Sequence, residues 1–265
     1  MTNPVRIGLG LQPQHAEYSD IRDAIVRAEE IGVDAVFNWD HFFPLSGDSH
    51  GKHFECWTML GSWAEVTERV EFGALVSCNS YRNPELLADM ARTVDHASDG
   101  RLIFGIGAGW FEKDYDEYGY DFGTKGSRLA DLKQALPRIE ERWSKLNPAP
   151  KRKIPVLIGG GGERKTLRYT AQHADIWHGF GDAEVIRHKN GVLDDWCAEI
   201  GRDPAEIERS CGANSRKPES GDGFVEAGAT FLTLGFDGRD NYDLSPVAEW
   251  LAWRDERNAA ASLSP

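Results

Sequence analysis

An acid and a histidine stand side by side in "WDHFFP", residues 39–44. The His41 imidazole can take up or release a proton near neutral pH, and the Asp40 carboxylate could orient such a partner. These residue types therefore suit proton transfer in a catalytic site. The alternative is structural, with Asp40 capping the next helix and His41 half-buried among aromatic side chains.

A run of four glycines in "IGGGGERKT" could bind a phosphate. Gly159 to Gly162 follow an apolar stretch and precede a helical pattern that begins at Glu163. Successive backbone N–H groups at a helix N-terminus form a binding site for anions, and Arg164 and Lys165 add positive charge. A tight turn with positive φ would also need glycine, but four in a row favour phosphate binding.

A second glycine-rich stretch, "GIGAGW" at residues 105–110, resembles a dinucleotide-binding loop. That loop follows the first strand of its fold and opens directly into a helix. Here the glycines end the fourth strand of the chain, and residues 110–123 form an aromatic and acidic stretch that is expected to be a loop. We therefore expect Gly107 and Gly109 to give a flat ring close access to the backbone.

His50, His53 and Cys56 are spaced three residues apart and could in principle hold a metal. No HxH or HExxH pattern accompanies them, and Gly51 interrupts the spacing. The sequence favours a polar loop here and predicts no metal site.

These residues need a scaffold, and the chain repeats a strand followed by a helix eight times. Alternation of this kind predicts a parallel sheet, and eight units in about 250 residues favour a closed (β/α)8 TIM barrel over a doubly wound sheet. We expect one domain covering residues 1–265. The predicted strands are 5–13, 33–44, 69–79, 101–109, 153–162, 175–180, 206–213 and 229–236, and the predicted helices are 19–32, 55–68, 83–98, 127–146, 163–174, 183–201, 218–227 and 243–258.

A barrel of this kind carries its active site at the carboxyl ends of its strands. The predicted strand ends hold an acid, histidines, hydroxyls, tryptophans and both glycine runs, which suits a flat aromatic cofactor with a phosphate tail. Trp39, Trp110, Trp177 and His178 are expected to line the substrate side, although ordinary barrel packing would also explain them.

The amino-acid composition argues against some classes of partner and indicates a cellular compartment. With 30 basic and 43 acidic residues, the net charge is −13, which argues against nucleic acid and anionic membranes as partners. No apolar run approaches the roughly 20 residues of a membrane helix, and the N-terminus lacks the features of a signal peptide. The four cysteines form no CxxC pair, so we expect reduced thiols and a cytoplasmic protein.

Several long segments resemble the bacterial luciferase-like superfamily. They are "WDHFFP", the stretch from "ALVSCNSYRNPELL" through "GRLIFGIGAGWFEKDYDEYGYDFG", "IPVLIGGGGERKTLRYTAQHADIWHGFG" and "WLAWRDERN". The chain is most similar to the actinobacterial branch of oxidoreductases that depend on the deazaflavin coenzyme F-420. This resemblance implies a (β/α)8 barrel with F-420 or FMN bound at its mouth and hydride transfer at C5 or N5 of the ring.

The resemblance also assigns roles to residues. Asp40 and His41 match an acid–histidine pair beside the deazaflavin, and Ser77 and Cys78 match a bulge in the third strand where many members hold a non-prolyl cis peptide. The residues matched to cofactor contacts are Ser77, Cys78, Asn79, Gly107, Gly109, Gly159, Gly160, Gly161, Gly162 and Glu163.

Two positions depart from the sugar-phosphate dehydrogenases of the superfamily. Those enzymes carry a tryptophan shortly after the second-strand histidine and a glutamate after the fourth-strand glycines, where this chain has Leu45 and Trp110. The prediction is therefore an F-420-dependent oxidoreductase acting on another small organic substrate, with His41 oriented by Asp40. An FMN-dependent monooxygenase or reductase, a metal-dependent hydrolase and a non-enzymatic cofactor-binding protein remain alternatives. A homodimer is expected, because dimers are common in the superfamily.

Overall fold

Parallel strands form the centre of the molecule. A computed structural model describes residues 4–213 and 217–262, so residues 1–3, 214–216 and 263–265 of the predicted domain lie outside the description. The strands are β1 (Arg6–Leu11), β2 (Ala35–Asn38), β3 (Glu71–Ala74), β4 (Ser77–Cys78), β5 (Leu102–Gly107), β6 (Val156–Gly159), β7 (Ile176–Gly179), β8 (Glu208–Ala213) and β9 (Phe231–Phe236).

The sheet closes on itself. Its strand order is β3-β2-β1-β9-β8-β7-β6-β5-β4, and β5 pairs in parallel with both β3 and β4. Because β3 and β4 are two pieces of one strand, the nine segments make eight barrel strands. The predicted (β/α)8 barrel is confirmed.

Helices cover the outside of the barrel. Among the described residues they are α1 (Tyr18–Ile31), α2 (Cys56–Val66), α3 (Pro84–Ala97), α4 (Glu112–Tyr118), α5 (Lys125–Lys145), α6 (Thr166–His173), α7 (Ala183–Ile200), α8 (Gly221–Glu226) and α9 (Val247–Ser262). Where the structure describes the chain, none of its helices has the length and apolar content needed to cross a membrane.

Two helices differ from the sequence-based prediction in ways that matter for the site. The stretch after β5, which was expected to be a loop, contains α4, and this helix ends at Gly119 with φ of 69°. Helix α6 begins at Thr166 rather than at Glu163, so three residues separate the glycine run from the helix. Helix α4 was missed because seven residues have little periodicity to detect. The start of α6 was misplaced because its N-cap residue, Lys165, makes no side-chain capping hydrogen bond that would mark it.

Apolar side chains fill two layers. Inside the barrel, Phe37, Ile103, Leu157 and Phe231 are buried together, with Leu75 and Val76 packed against them. The larger layer lies between the strands and the helices. Burial of both layers is the main force that holds the strand ends in a fixed arrangement.

The third strand is interrupted by a bulge, residues 75–76, where the peptide bond between Leu75 and Val76 is cis. The bulge therefore lies two residues before the predicted position, and Ser77 and Cys78 form the short strand β4 that follows it. The Leu75 N–H donates to the carbonyl of Asn38, 2.8 Å away, so β2 holds one side of the bulge.

The glycines of β5 make room for this bulge. A Cβ at Gly105 would overlap the carbonyl oxygen of Ala74, and one at Gly107 would lie 2.7 Å from Cγ2 of Val76. At Gly109, with φ of 80°, a Cβ would overlap the Tyr115 hydroxyl. Gly107 and Gly109 are therefore needed for packing against the bulge and Tyr115, and their predicted place beside a flat ring stays a prediction.

We expect Gly105→Ala to destabilise the fold by at least about 2 kcal/mol, because the backbone on both sides of the overlap is fixed in the sheet. Gly191→Ala is the control, since a Cβ there meets nothing within 4 Å and lies in α7. The control should be neutral or gain up to about 1 kcal/mol. Urea unfolding of both variants measures the difference, and equal stabilities would contradict the packing argument.

Candidate functional site

A cavity of about 640 Å³ opens at the carboxyl ends of the strands. It brings together the bulge, the acid–histidine pair, the β5 glycines and the run of four glycines. Its lining residues are Trp39, Asp40, His41, Leu45, Leu75, Val76, Ser77, Cys78, Gly107, Ala108, Gly109, Trp110, Lys125, Arg128, Leu129, Gly159, Gly160, Gly161, Gly162, Thr166 and Phe180.

Side chains fix the strand segment that follows the bulge. The Ser77 hydroxyl accepts a hydrogen bond from Trp57 Nε1 at 3.1 Å, and Cys78 Sγ lies 3.2 Å from the Tyr115 hydroxyl. Burial raises the pKa of the Cys78 thiol to about 11, so the group is neutral at pH 7. The wall of the cavity formed by Ser77 and Cys78 is therefore held in place and carries no charge.

Asp40 supports the same wall. Its buried carboxylate accepts the Cys78 N–H at 2.9 Å and pairs with both terminal nitrogens of Arg82, at 2.6 and 3.1 Å. Burial raises the pKa of Asp40, and the Arg82 charge opposes that rise. The prediction that Asp40 orients His41 is wrong, because both carboxylate oxygens are committed to Arg82 and Cys78.

His41 is oriented by a different acid. Its Nδ1 lies 2.7 Å from Oδ2 of Asp114, a fully buried residue of α4. The same carboxylate accepts the Tyr81 hydroxyl at 2.8 Å and the Phe42 N–H at 3.1 Å. Asp114 lies in the segment that was expected to be a loop, and its only sequence signal is an acid among aromatic residues.

Aromatic rings surround His41 at the mouth of the cavity. The rings of Trp39, Trp110 and Phe111 lie edge-on to the imidazole, with centroids 6.2, 5.7 and 5.5 Å away. Trp110 is 63% exposed, so it stands at the rim. Trp39 donates from Nε1 to Nε2 of His53 at 3.0 Å, which fixes its position in the wall.

The glycine run forms a turn next to the bulge, three residues before α6, and a Cβ on Gly159 would lie 2.9 Å from Cγ1 of Val76. Gly160 has φ of 123°, and its carbonyl accepts a hydrogen bond from Trp177 Nε1 at 2.9 Å. A Cβ at Gly162 would lie 2.8 Å from the Thr166 hydroxyl, so only glycine leaves this turn open. The Gly160 N–H donates to the carbonyl of His178 at 3.0 Å, so the N–H groups of the turn after Gly160 are the ones that could bind a phosphate ahead of α6.

Glu163 lies outside the cavity. Its carboxylate bonds Lys189 Nζ at 2.5 Å and His188 Nε2 at 3.1 Å, so it faces α7. Through this pair Glu163 holds the Lys189 side chain, whose Cε lies 3.6 Å from a Cβ built on Gly161. The Glu163 carboxylate is therefore directed at α7 and not into the cavity, where its contact with a cofactor was predicted.

Three other predicted residues also lie away from the large cavity. Trp177 is fully buried between the sheet and the helices, where it supports Gly160 rather than facing a substrate. Asn79 is buried and is not among the lining residues. His178 is buried in the barrel, where its Nδ1 lies 2.9 Å from the Ser210 hydroxyl and burial lowers its pKa to about 4.

His178 lines a second, smaller cavity of about 250 Å³ inside the barrel mouth. Trp39, Leu75 and Phe180 line both cavities, so the two are neighbours. The lining of the smaller cavity carries no charged side chain in the described parts of the chain, since His178 is neutral at pH 7. Its lining residues are Gly10, Leu11, Gln12, Phe37, Asn38, Trp39, Leu75, His178, Phe180, Gly212, Ala213, Thr233, Leu234 and Gly235.

Two of the three residues of the metal hypothesis, His53 and Cys56, hydrogen-bond to other side chains. His53 accepts from Trp39, and burial lowers its pKa to about 4, while the Cys56 thiol donates to Asn38 Oδ1 at 3.1 Å. Across residues 4–213 and 217–262, no three histidine, cysteine, aspartate or glutamate side chains are grouped as metal ligands.

The barrel and its cavity agree with a family assignment. The model of the luciferase-like monooxygenase family matches residues 2–215, so the chain belongs to that family. The resemblance drawn from the motifs is confirmed.

The chain is similar to the F420-dependent glucose-6-phosphate dehydrogenase of Amycolatopsis mediterranei, with 28% identity over 60% of this chain. The match spans about half of that enzyme, 52% of its length. An uncharacterized protein of Mycobacterium tuberculosis is 26% identical over 78% of both chains.

Solved structures share the fold at low identity. An F420-dependent secondary alcohol dehydrogenase in complex with an F420-acetone adduct has a TM-score of 0.83 and 16% identity, and covers 93% of this chain and 98% of its own. The monooxygenase RslO1 from Streptomyces bottropensis has a TM-score of 0.66 and 14% identity, and the match covers 96% of this chain and 82% of RslO1.

We expect Arg82→Met to destabilise the protein by about 3–5 kcal/mol, because it leaves the Asp40 carboxylate buried without its cation. The double variant Asp40→Asn/Arg82→Met should recover part of this loss, since the uncompensated charge is gone. Arg138→Met, which breaks an exposed pair with Glu85, should have little effect. Urea unfolding compares the three, and a double variant less stable than Arg82→Met would contradict the role given to Asp40.

Proposed function

We propose that the protein is an F-420-dependent oxidoreductase that moves a hydride between the deazaflavin and a small uncharged organic substrate. The observation that carries this proposal is the position of His41. A histidine held by a buried carboxylate lines the same cavity as a rigid strand bulge and an open glycine cradle. Relatives named as F420-dependent enzymes support the choice of cofactor.

The chain's own residues divide the binding task. Gly159 to Gly162 would hold the phosphate of the cofactor. The ring would lie against the bulge and β4, with the segment from Gly107 to Gly109 beside it. When bound, the deazaflavin supplies a carbon that accepts or releases a hydride. His41 would exchange the accompanying proton with the substrate, while Trp39 and Trp110 exclude water around it.

FMN is the second candidate cofactor. The family includes monooxygenases, and RslO1 has the same fold. The glycine cradle fits any phosphate, so it does not discriminate between the two cofactors. The ring chemistry would then differ, but the positions given to His41 and the bulge would not.

The smaller cavity supports an uncharged substrate. Apart from neutral groups such as Gln12, His178 and Thr233, its lining is apolar, so it can take the carbon skeleton of a substrate whose hydroxyl lies at His41 in the larger cavity. Nothing described in its lining can neutralise an anion. Burying a phosphate or carboxylate without a partner costs several kcal/mol. A secondary alcohol or its ketone therefore fits better than a sugar phosphate, in line with Leu45 and Trp110.

We expect F-420 to bind the purified protein with micromolar affinity and FMN to bind more weakly. Gly161→Asp should weaken F-420 binding at least about tenfold, because a carboxylate in the cradle repels a phosphate. Gly191→Asp adds the same charge on an exposed part of α7 and should leave affinity within about threefold. Fluorescence titration measures both, and binding of FMN alone would overturn the cofactor assignment.

Turnover should follow substrate charge. With F-420 present, 2-propanol or cyclohexanol should reduce the cofactor at least about 100-fold more efficiently than glucose 6-phosphate, because the anion loses its hydration without gaining a cation. Gly235→Val, which fills the smaller cavity, should abolish the alcohol reaction while F-420 affinity stays within about threefold. A loss of F-420 affinity in this variant would instead place the cofactor ring in that cavity.

A further inference from the structure

We propose that Asp114 is a positioning residue that keeps His41 in the tautomer with its proton on Nδ1, so that Nε2 offers a lone pair to the cavity. The tautomer is a property of the protein alone. Only its use in proton transfer rests on the proposed function.

The carboxylate of Asp114 is surrounded by donors. Oδ1 accepts the Phe42 N–H at 3.1 Å, while Oδ2 accepts the Tyr81 hydroxyl at 2.8 Å and faces His41 Nδ1 at 2.7 Å. Asp114 is fully buried, and a buried carboxylate needs such partners. The group is thus built to accept three hydrogen bonds, one of them from the imidazole.

Tyr81 cannot take over the role of acceptor. Burial raises its pKa far above the usual value, and the neighbouring Cys78 and Asp114 raise it further. Its hydroxyl keeps its proton and donates it to Asp114. Both carboxylate oxygens of Asp114 already act as acceptors, Oδ1 for the Phe42 N–H and Oδ2 for the Tyr81 hydroxyl. The hydrogen between Asp114 and His41 is therefore carried by Nδ1.

This arrangement determines what Nε2 can do. In the neutral ring, Nε2 is an acceptor, so under the proposed function it would take the proton of a substrate hydroxyl, with the bound deazaflavin as the hydride acceptor. The Nδ1 proton meanwhile stays on the ring and remains hydrogen-bonded to Asp114. The Asp114 carboxylate also stabilises the imidazolium cation that results. In the reverse direction the protonated ring returns the Nε2 proton to the carbonyl oxygen.

Other ionisable groups do not disturb this assignment. Asp114 approaches His41 from α4, Tyr81 donates to Asp114 from the segment after β4, and His53 lies on the loop before α2. His53 is neutral at pH 7, because burial lowers its pKa to about 4, and it accepts a hydrogen bond from Trp39. Asp114 is the group that sets the tautomer.

The orientation of an amide at this position is predictable. In Asp114→Asn the backbone N–H of Phe42 cannot turn away from the side chain, whereas the Tyr81 hydroxyl can rotate its hydrogen and accept instead. The amide oxygen therefore stays at Phe42, and the amide NH₂ faces Tyr81 and His41. It then donates to Nδ1 and forces the ring proton onto Nε2. Asp116→Asn makes the same chemical change on the exposed face of α4 and serves as the matched control.

The experiment is ¹⁵N NMR of the histidine rings in the full-length protein at pH 8, with and without F-420, where a His41→Gln sample assigns the signal. We expect His41 to show a protonated Nδ1 and a bare Nε2 in the wild type and in Asp116→Asn. In Asp114→Asn the protonated and bare nitrogens should exchange places. A wild-type ring protonated on Nε2, or an unchanged tautomer in Asp114→Asn, would overturn the proposal.

Tyr81→Phe covers the case in which Asp114→Asn does not fold. Removing one donor leaves the carboxylate a stronger acceptor, so the tautomer should persist and the His41 Nδ1 proton resonance should move downfield. A resonance that stays in place or moves upfield would contradict the proposed network.

Activity separates this proposal from the proposed function. If both are correct, Asp114→Asn should bind F-420 within about threefold of wild type and lose about 10²–10⁴-fold in turnover of 2-propanol. An inverted tautomer in a protein that binds no F-420 would support Asp114 and reject the proposed function.

Discussion

The link between Asp40, Arg82 and the Cys78 N–H is the constraint on which the cavity depends. It ties the end of β2 to the short strand after the bulge, across a region where the sheet pairing is interrupted. A lone carboxylate could not be buried there, and a lone guanidinium could not hold the backbone. Together they fix one wall of the cavity, and the glycines of β5 then allow that wall to sit close to the next strand.

The fold was predictable from the sequence because the strand–helix alternation is a long-range pattern repeated eight times. The glycine run could also be placed, since its residues follow an evident strand. Assigning the partners of individual side chains was harder. Asp40 stands beside His41 in the chain, yet successive side chains along an extended backbone point in different directions, so adjacency indicated the wrong pair. The single-domain arrangement and the homodimer remain predictions.

Tertiary structure decides the features that the sequence did not reveal. Asp114 is 73 residues from its histidine, and nothing local marks a carboxylate that will be buried by a seven-residue helix. Trp177 is an aromatic residue near a strand end, which suggested a pocket residue. Its position in the strand, however, directs the ring outward to the helices. In both cases the side-chain direction follows from register and helix placement, which no local pattern of residue types encodes.

The segment after β5 forms part of the cavity entrance and also supplies the buried partner of His41. Trp110 at its start stands in the entrance, and Asp114 four residues later is the buried partner of the histidine. A change in length or sequence here, made to admit a different molecule, would also displace the carboxylate. Under the proposed function, access of the substrate and proton transfer therefore depend on one segment, whereas loops on the other side of the barrel can change without displacing Asp114.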